Sequence, residues 1–366
     1  MRLGVARAIV GDTIVDGDVE IESGRVTAVG RTPARASRLA VPGFVDIQVN
    51  GFAGVDFAAA RPEDYDAVGS ALAATGVTAY QPTLITLPEA DTARALGALA
   101  AHRPGRSGPH IIGMHLEGPF LSPHRAGAHD PASMVDPDLG LMERLLAAGP
   151  VTMMTLAPEL PGAAELIEFL IRRGVVVACG HSDATAAQAH VAFDLGARAA
   201  THLFNAQRPL HHRNPGIAGA ALSREDVIVS IIVDGSHLAD EVVRIILAAP
   251  ARVALITDAI AAAGRPDGTY PLGDRSVTVS GGSARLADGT LAGSVLTMDA
   301  AVRNLVDIGA DLITAVAAAT TVPAAVLGRT GIGELRVGGP ADIVVLDEDL
   351  APVRTLVGGL ELFPAG

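Results

Sequence analysis

Tryptophan is absent from these 366 residues and aromatic side chains make up only 3% of them, although 49% of the chain is hydrophobic. The apolar content is therefore mostly Ala, Val, Leu and Ile, which suits helices packed on buried strands. Cysteine is nearly absent as well. The single Cys179 excludes an intramolecular disulfide framework, and its place in a Val-rich run marks it as a core residue rather than a nucleophile. No apolar run reaches the ~18 residues of a membrane span. Met1-Arg2-Leu3-Gly4-Val5-Ala6-Arg7 leads straight into an alternating strand pattern rather than a signal peptide, so we read the chain as cytoplasmic. Positive charge is scarce. A net charge of -13 argues against a broad nucleic-acid or membrane surface, and an anionic ligand would need a local cluster of Arg or His.

The length allows one large domain of about 250 residues and a smaller one. Residues 1–41 read as short strands with turns, and residues 332–366 do the same around Asp342-Ile343-Val344-Val345-Leu346-Asp347. The two ends are expected to pair into one small β-sandwich domain. Residues 42–331 alternate buried strands with helical patterns. Strands are expected at 43–50, 77–84, 110–117, 151–157, 175–181, 199–205, 228–234 and 253–258. Helices are expected within 62–74, 88–102, 138–148, 163–173, 184–195 and 238–248, with Asp183 as an N-cap. This alternation predicts a (β/α)8 TIM-like barrel rather than an open doubly wound sheet. A Gly-rich, hairpin-like insertion at about 267–293 follows the eighth strand, and a further helix begins near Leu296.

Polar residues gather at the carboxyl ends of these strands. Gln48 and Asn50 end the first, Glu117 the third, His181 the fifth, His202 and Asn205 the sixth, Asp234 and His237 the seventh, and Asp258 the eighth. Barrels build active sites on that face. His115 and Glu117 share one face of their strand, so a mutually satisfied buried pair is the plain alternative there. Glu117 with His181 and His202 offers one carboxylate and two imidazoles, a set that suits Zn²⁺ or a neighbouring divalent metal and leaves room for water. Asp258 reads equally as a proton carrier or as a cap that orients others. His129, in the loop after Glu117, reads as a group that polarises a carbonyl or as a surface histidine. His211, His212 and Arg213 could hold a phosphate, or belong to a solvated loop.

The motifs together resemble a known family. They are Pro42-Gly43-Phe44-Val45-Asp46 with Asn50-Gly51, His115-Leu116-Glu117-Gly118-Pro119-Phe120, Gly180-His181-Ser182-Asp183-Ala184-Thr185, Thr201-His202-Leu203-Phe204-Asn205-Ala206, Asp234-Gly235-Ser236-His237, Thr257-Asp258-Ala259 and Ala292-Gly293-Ser294. In this order they resemble the N-acetylglucosamine-6-phosphate deacetylase family of the amidohydrolase superfamily. That resemblance implies a cytoplasmic homodimer that hydrolyses the sugar phosphate with one divalent metal per subunit. Zn²⁺ is the expected ion, with Fe²⁺, Co²⁺ and Mn²⁺ as alternatives. It also implies Glu117, His181 and His202 as ligands, Asp258 as the proton carrier, and His129 and His237 as substrate contacts. Asn205, Ala206 and Arg213 would bind the phosphate, with Arg213 reaching the neighbouring site. Many superfamily members carry His-x-His in the first strand for a second metal. This chain has Gln48-Val49-Asn50, and amides are poor transition-metal ligands, hence the expectation of one ion. The rival expectations are an amidohydrolase acting on another amide or cyclic imide, and a non-catalytic sugar-phosphate binding protein.

Overall fold

The computed structural model describes residues 1–32, 37–103, 105 and 108–364. Parallel strands circle a nearly closed barrel in the order Phe44–Val49, Val77–Leu84, His110–Ile111 continued by Met114–Glu117, Val151–Leu156, Val176–Cys179, Ala199–Ala200, Ile228–Ile231 and Arg252–Leu255. The ring shuts where Val49 pairs in parallel with Ala259 and where the Asp258 N–H donates to Gln48 O at 3.0 Å. The fold is thus the (β/α)8 TIM-like barrel that the alternation predicts. Every residue of Val77–Leu84 is buried, because one face fills the barrel and the other lies under helices. The covering helices bury one stripe each. On Ala163–Arg172 the buried residues Ala163, Leu166, Ile167 and Leu170 recur at three- and four-residue spacing.

Local geometry departs from the sequence pattern at four places. The third strand is split at Gly113, whose φ is 129° and where a β-carbon would stand 2.4 Å from the Thr152 side chain. The sixth strand stops at Ala200 instead of running to residue 205, because His202, Phe204 and Ala206 take left-handed backbone conformations that no strand continues. The helix Ala186–Asp194 is capped by Thr185, in a reciprocal box with Gln188, and not by Asp183. The insertion is a three-stranded antiparallel sheet, Gly268–Leu272, Arg275–Ser280 and Ser283–Arg285, rather than a simple hairpin.

The chain ends share one six-stranded sheet. Its order is Thr13–Asp16, Arg7–Val10, Leu39–Pro42, Ile343–Leu346, Pro352–Val357 and Leu360–Phe363. Both faces are covered. Ile343 and Val345 pack with Val19, Ile21 and Val26 of the hairpin Asp18–Glu22/Arg25–Arg31, while Val344 and Leu346 join the barrel core. Period-two alternation therefore sends successive residues of one apolar run into two different cores.

One glycine carries the entry to the second barrel strand. Gly76 sits at φ 86°, and an added β-carbon would stand 2.6 Å from Cδ2 of the fully buried Phe44. Gly76→Ala should therefore cost about 1–3 kcal/mol from overpacking, with about 1 kcal/mol more for the left-handed backbone. Urea unfolding of both proteins measures this, and an unchanged midpoint would refute the packing account.

Candidate active site

The carboxyl rim of the barrel encloses a cavity of about 380 Å³. Glu117, His129, His181, His202, Asn205, Ala206, His237 and Asp258 all line it. Their backbones come from the third, fifth, sixth, seventh and eighth strands and the loops that follow them. His181 (φ 47°), His202 (φ 29°) and Asp258 (φ 49°) are all held in the left-handed region, where non-glycine residues are strained. Hydrogen bonds fix two of these turns: Ser230 Oγ accepts the His202 N–H at 2.9 Å, and Gln48 O accepts the Asp258 N–H.

Glu117 is the hub. Its Oε1 lies 2.9 Å from His202 Nε2 and 3.2 Å from His181 Nε2, and it accepts a hydrogen bond from Gln48 Nε2 at 3.1 Å. Its Oε2 lies 3.5 Å from His129 Nε2. Burial alone would raise the Glu117 carboxyl, but His129, His181 and His202 hold it well below the usual carboxylate range. Burial, then the neighbouring His129, lowers His181 below the ordinary imidazole value. Burial also works against a charged His202, yet Glu117 and Asp258 bring it above that value. His115 is not Glu117's partner. It lies deeper in the barrel, bonded to Thr155 Oγ1 at 2.8 Å and beside Thr83 Oγ1 at 3.3 Å, and burial pushes it down to about 4.

Two sets of donors could hold a cation here, Glu117 and His181 with either His129 or His202. Hydrogen bonding separates them. The Thr86 N–H donates to His129 Nδ1 at 3.0 Å, so the neutral ring carries its proton on Nε2, the atom that faces Glu117. That ring is a donor in the cavity. His181 is the reverse case: its Nδ1–H donates to Arg125 O at 3.0 Å, leaving Nε2 as a bare lone pair 3.1 Å from His202 Nε2. Ligand atoms held about 2.0–2.1 Å from a tetrahedral ion lie about 3.3 Å apart, so the spacing of Glu117 Oε1, His181 Nε2 and His202 Nε2 fits a divalent metal.

Asp258 stands across from this set. Its Oδ1 accepts Asn50 Nδ2 at 2.7 Å and Gln48 Nε2 at 3.1 Å, while Oδ2 receives no hydrogen bond from the described residues. Burial and then the Glu117 charge push its carboxyl up to about 6. One amide, Gln48, thus bridges Glu117 and Asp258. Beneath it, the buried Asp46 accepts the Thr257 hydroxyl at 2.6 Å and fixes the residue before Asp258. His237 is oriented by its Nδ1–H, which donates to Asp234 Oδ2 at 2.8 Å and leaves Nε2 free.

Arg213 does not line the cavity of its own chain. It is exposed beside His212 on a separate, smaller cleft of about 190 Å³ with Arg208 and Asn214. Asp183 is a clamp: Oδ1 takes Arg125 at 2.7 and 2.8 Å and Oδ2 takes Arg208 at 2.6 Å, tying the loops after the third, fifth and sixth strands together. Sequence reading passed over Ile85, Leu272, Arg285, Thr290 and Leu291, which also line the cavity. The last four belong to the insertion or its return, where no periodicity or motif points inward.

Residues 39–361 match the model of the amidohydrolase family. The chain is 37% identical over 345 residues to an Escherichia coli O157:H7 protein named N-acetylgalactosamine-6-phosphate deacetylase, covering 92% of each chain. It is 38% identical to human N-acetylglucosamine-6-phosphate deacetylase, with 88% of this chain and 83% of the human protein covered. Among solved structures, a variant of the Mycobacterium smegmatis N-acetyl-D-glucosamine-6-phosphate deacetylase in complex with N-acetyl-D-glucosamine 6-phosphate superposes with a TM-score of 0.93 at 40% identity, covering 99% of both chains.

The raised Asp258 carboxyl has a consequence for stability. An acid whose value is higher folded than unfolded favours the fold while protonated, and this contribution is lost as pH rises from about 4 through about 6. Metal-free Asp258→Asn should therefore be more stable than the metal-free parent at about pH 7.5, by on the order of 2–3 kcal/mol at most, with the gap closing towards about pH 4. Thermal melts at both pH values test this; equal melting temperatures at the higher pH would rule it out.

Proposed function

The chain belongs to the amidohydrolase family, and from that premise we propose that it hydrolyses N-acetyl-D-glucosamine 6-phosphate to D-glucosamine 6-phosphate and acetate, as a cytoplasmic enzyme of amino-sugar catabolism. The observation that carries this reading is the convergence of Glu117, His181, His202 and Asp258 on one cavity that also presents His129, Asn205 and His237. Glu117, His181 and His202 would hold one divalent ion per subunit, with Zn²⁺ best suited to the donor set. Such an ion, when bound, lowers the pKa of water to ~7 and polarises an amide carbonyl. Gln48 supports a single ion, since its amide places donors between Glu117 and Asp258 where a second cation would otherwise balance their charge.

The protein groups divide the remaining work. Asp258 accepts a proton from the attacking water at its free Oδ2 and passes it to the amine nitrogen as the C–N bond breaks and the new C–O bond forms. His129 directs its Nε2–H at the carbonyl oxygen as negative charge develops there, held in that tautomer by the Thr86 N–H. His237 offers Nε2 to a sugar hydroxyl. Asn205 and Ala206, on the strained turn after the sixth strand, face the phosphate. Arg213 would complete the phosphate site from the other subunit of a homodimer, which accords with its exposed position outside its own cavity. A second reading is favoured by the name of the E. coli relative: the 4-epimer, N-acetylgalactosamine 6-phosphate, is an alternative substrate.

Acetate release from both sugar phosphates, assayed alongside metal content, tests the reading, and the ratio of kcat/KM values decides between the epimers. One tightly held ion per active chain is expected. Glu117→Ala, His181→Ala and His202→Ala should each lose the ion and turnover together, and full activity in a metal-free variant would end the ligand assignment. Asp258→Asn should keep the ion while kcat falls by ~10² or more; unchanged kcat would place the proton on another group.

Subunit sharing has its own test. Arg213→Ala and Asp258→Asn should each be poorly active alone, and exchanged subunits should regain activity, because a mixed dimer holds one site with both groups. No recovery despite proven exchange would put Arg213 in its own chain's site.

A further inference from the structure

A sugar phosphate brings two negative charges to a protein of net charge -13 and to a cavity that already contains Glu117 and Asp258. The chain has no lysine, so its 27 permanently cationic side chains are all arginines. Arg125 and Arg208 are bound to Asp183, and Arg213 lies outside its own cavity. Among the described residues one arginine lines the cavity, Arg285, the last residue of the insertion's third strand. It forms no ion pair among them. Among the described residues its only side-chain hydrogen bond runs from Nη1 to Gly289 O at 2.8 Å, leaving Nε and Nη2 without a partner there.

The backbone beneath Arg285 is well fixed. Arg285 pairs in antiparallel fashion with Leu291, which also lines the cavity, and the Ala292 N–H donates to Ala284 O at 3.0 Å. The insertion is itself seated on the barrel, since the Gly273 N–H donates to Asp56 Oδ2 at 2.7 Å. A rigid arm therefore carries a long, singly tethered guanidinium to the cavity mouth. A cation placed at the mouth of a cleft in an otherwise negative protein concentrates anions there.

We propose that Arg285 is a specificity-determining residue of this enzyme, a cation supplied by the chain's own insertion that draws in and holds the phosphate of the substrate at the cavity mouth. This rests on the deacetylase reading for its substrate, but its physical content is selectivity for phosphorylated over neutral sugars. It is separate from Arg213, whose contribution would come from another subunit. Because the side chain is exposed and forms no ion pair, substituting it leaves the core and the metal set untouched.

The test compares the parent with Arg285→Gln, Arg285→Lys and Arg285→Glu. For N-acetylglucosamine 6-phosphate, Arg285→Gln should lower kcat/KM about ten-fold or more, mainly through KM, whereas unphosphorylated N-acetylglucosamine should change little. Arg285→Lys should restore most of the loss and Arg285→Glu should deepen it. The parent's preference for the phosphorylated sugar should weaken with added salt more steeply than that of Arg285→Gln. Equal losses on both sugars, or no change on either, overturn the proposal. Calorimetric binding of glucosamine 6-phosphate and of glucosamine gives a measure that does not depend on turnover: the affinity ratio should narrow in Arg285→Gln, and an unaltered ratio overturns the proposal. Failure of the parent to release acetate from any sugar phosphate would instead refute the deacetylase reading.

Discussion

A carboxylate buried in the mouth of a barrel cannot stand alone, since an unpaired buried charge costs several kcal/mol. Glu117 is that carboxylate. Its burial is offset by His202 and the Gln48 amide at hydrogen-bond distance, with His181 Nε2 beside the same oxygen, and these residues come from the sixth, first and fifth strands and the turns that follow them. The strands must therefore close into a ring of the right circumference before the charge can be satisfied. Electrostatics at the rim and closure of the barrel are one constraint seen from two sides. The same arrangement leaves a carboxylate oxygen and two imidazole nitrogens pointing at one another, a donor set that a divalent ion would satisfy better than the protein alone does.

Placing those groups is costly. His181, His202 and Asp258 adopt left-handed backbone conformations, each costing on the order of 1–3 kcal/mol. Packing beneath them holds these turns in place. Ser230 bonds the backbone of His202, Asp46 and Thr257 fix the approach to Asp258, and Arg125 O fixes the ring of His181. Asp183, gripped by Arg125 and Arg208, joins three of the rim loops, so the orientation of His181 and the path of the chain that follows Asn205 are mechanically connected. Rigid support below and strained turns above give a site that is shaped before any ligand arrives.

Charge imposes the second constraint. The cavity floor is acidic and the chain as a whole is negative, so recognition of an anion has to be local. The barrel rim supplies the Nε2–H of His129, the open Nε2 of His237 and the Asn205 amide. Guanidinium groups are carried on segments outside the barrel strands, Arg285 on the insertion and Arg213 on the loop after the sixth strand. The groups proposed for catalysis thus sit on the turns and loops at the barrel rim, and the proposed charge selection falls to guanidinium groups on segments beyond it. Such a division lets substrate preference change without disturbing Glu117 and its partners.

The sequence by itself determined the barrel and most of its chemical rim. Strand and helix periods are local properties, and in a parallel barrel every strand's carboxyl end reaches the same face, so Glu117, His181, His202, Asn205, His237 and Asp258 could be placed together from their positions in the chain. Ordered motifs then named the chemistry. Tertiary structure alone decided what depends on side chains meeting across distant segments. The tautomer of His129 is set by Thr86, 43 residues away, and the role of Asp183 by Arg125, 58 residues away, which is why a local reading took that aspartate for a helix cap. His115, two residues from Glu117 and on the same face, belongs to a threonine layer below it rather than to the site. Arg285 lines the cavity because the insertion is seated by contacts such as Gly273 with Asp56, which no periodicity encodes, while Arg213, on the loop after the sixth strand, lies outside its own chain's cavity.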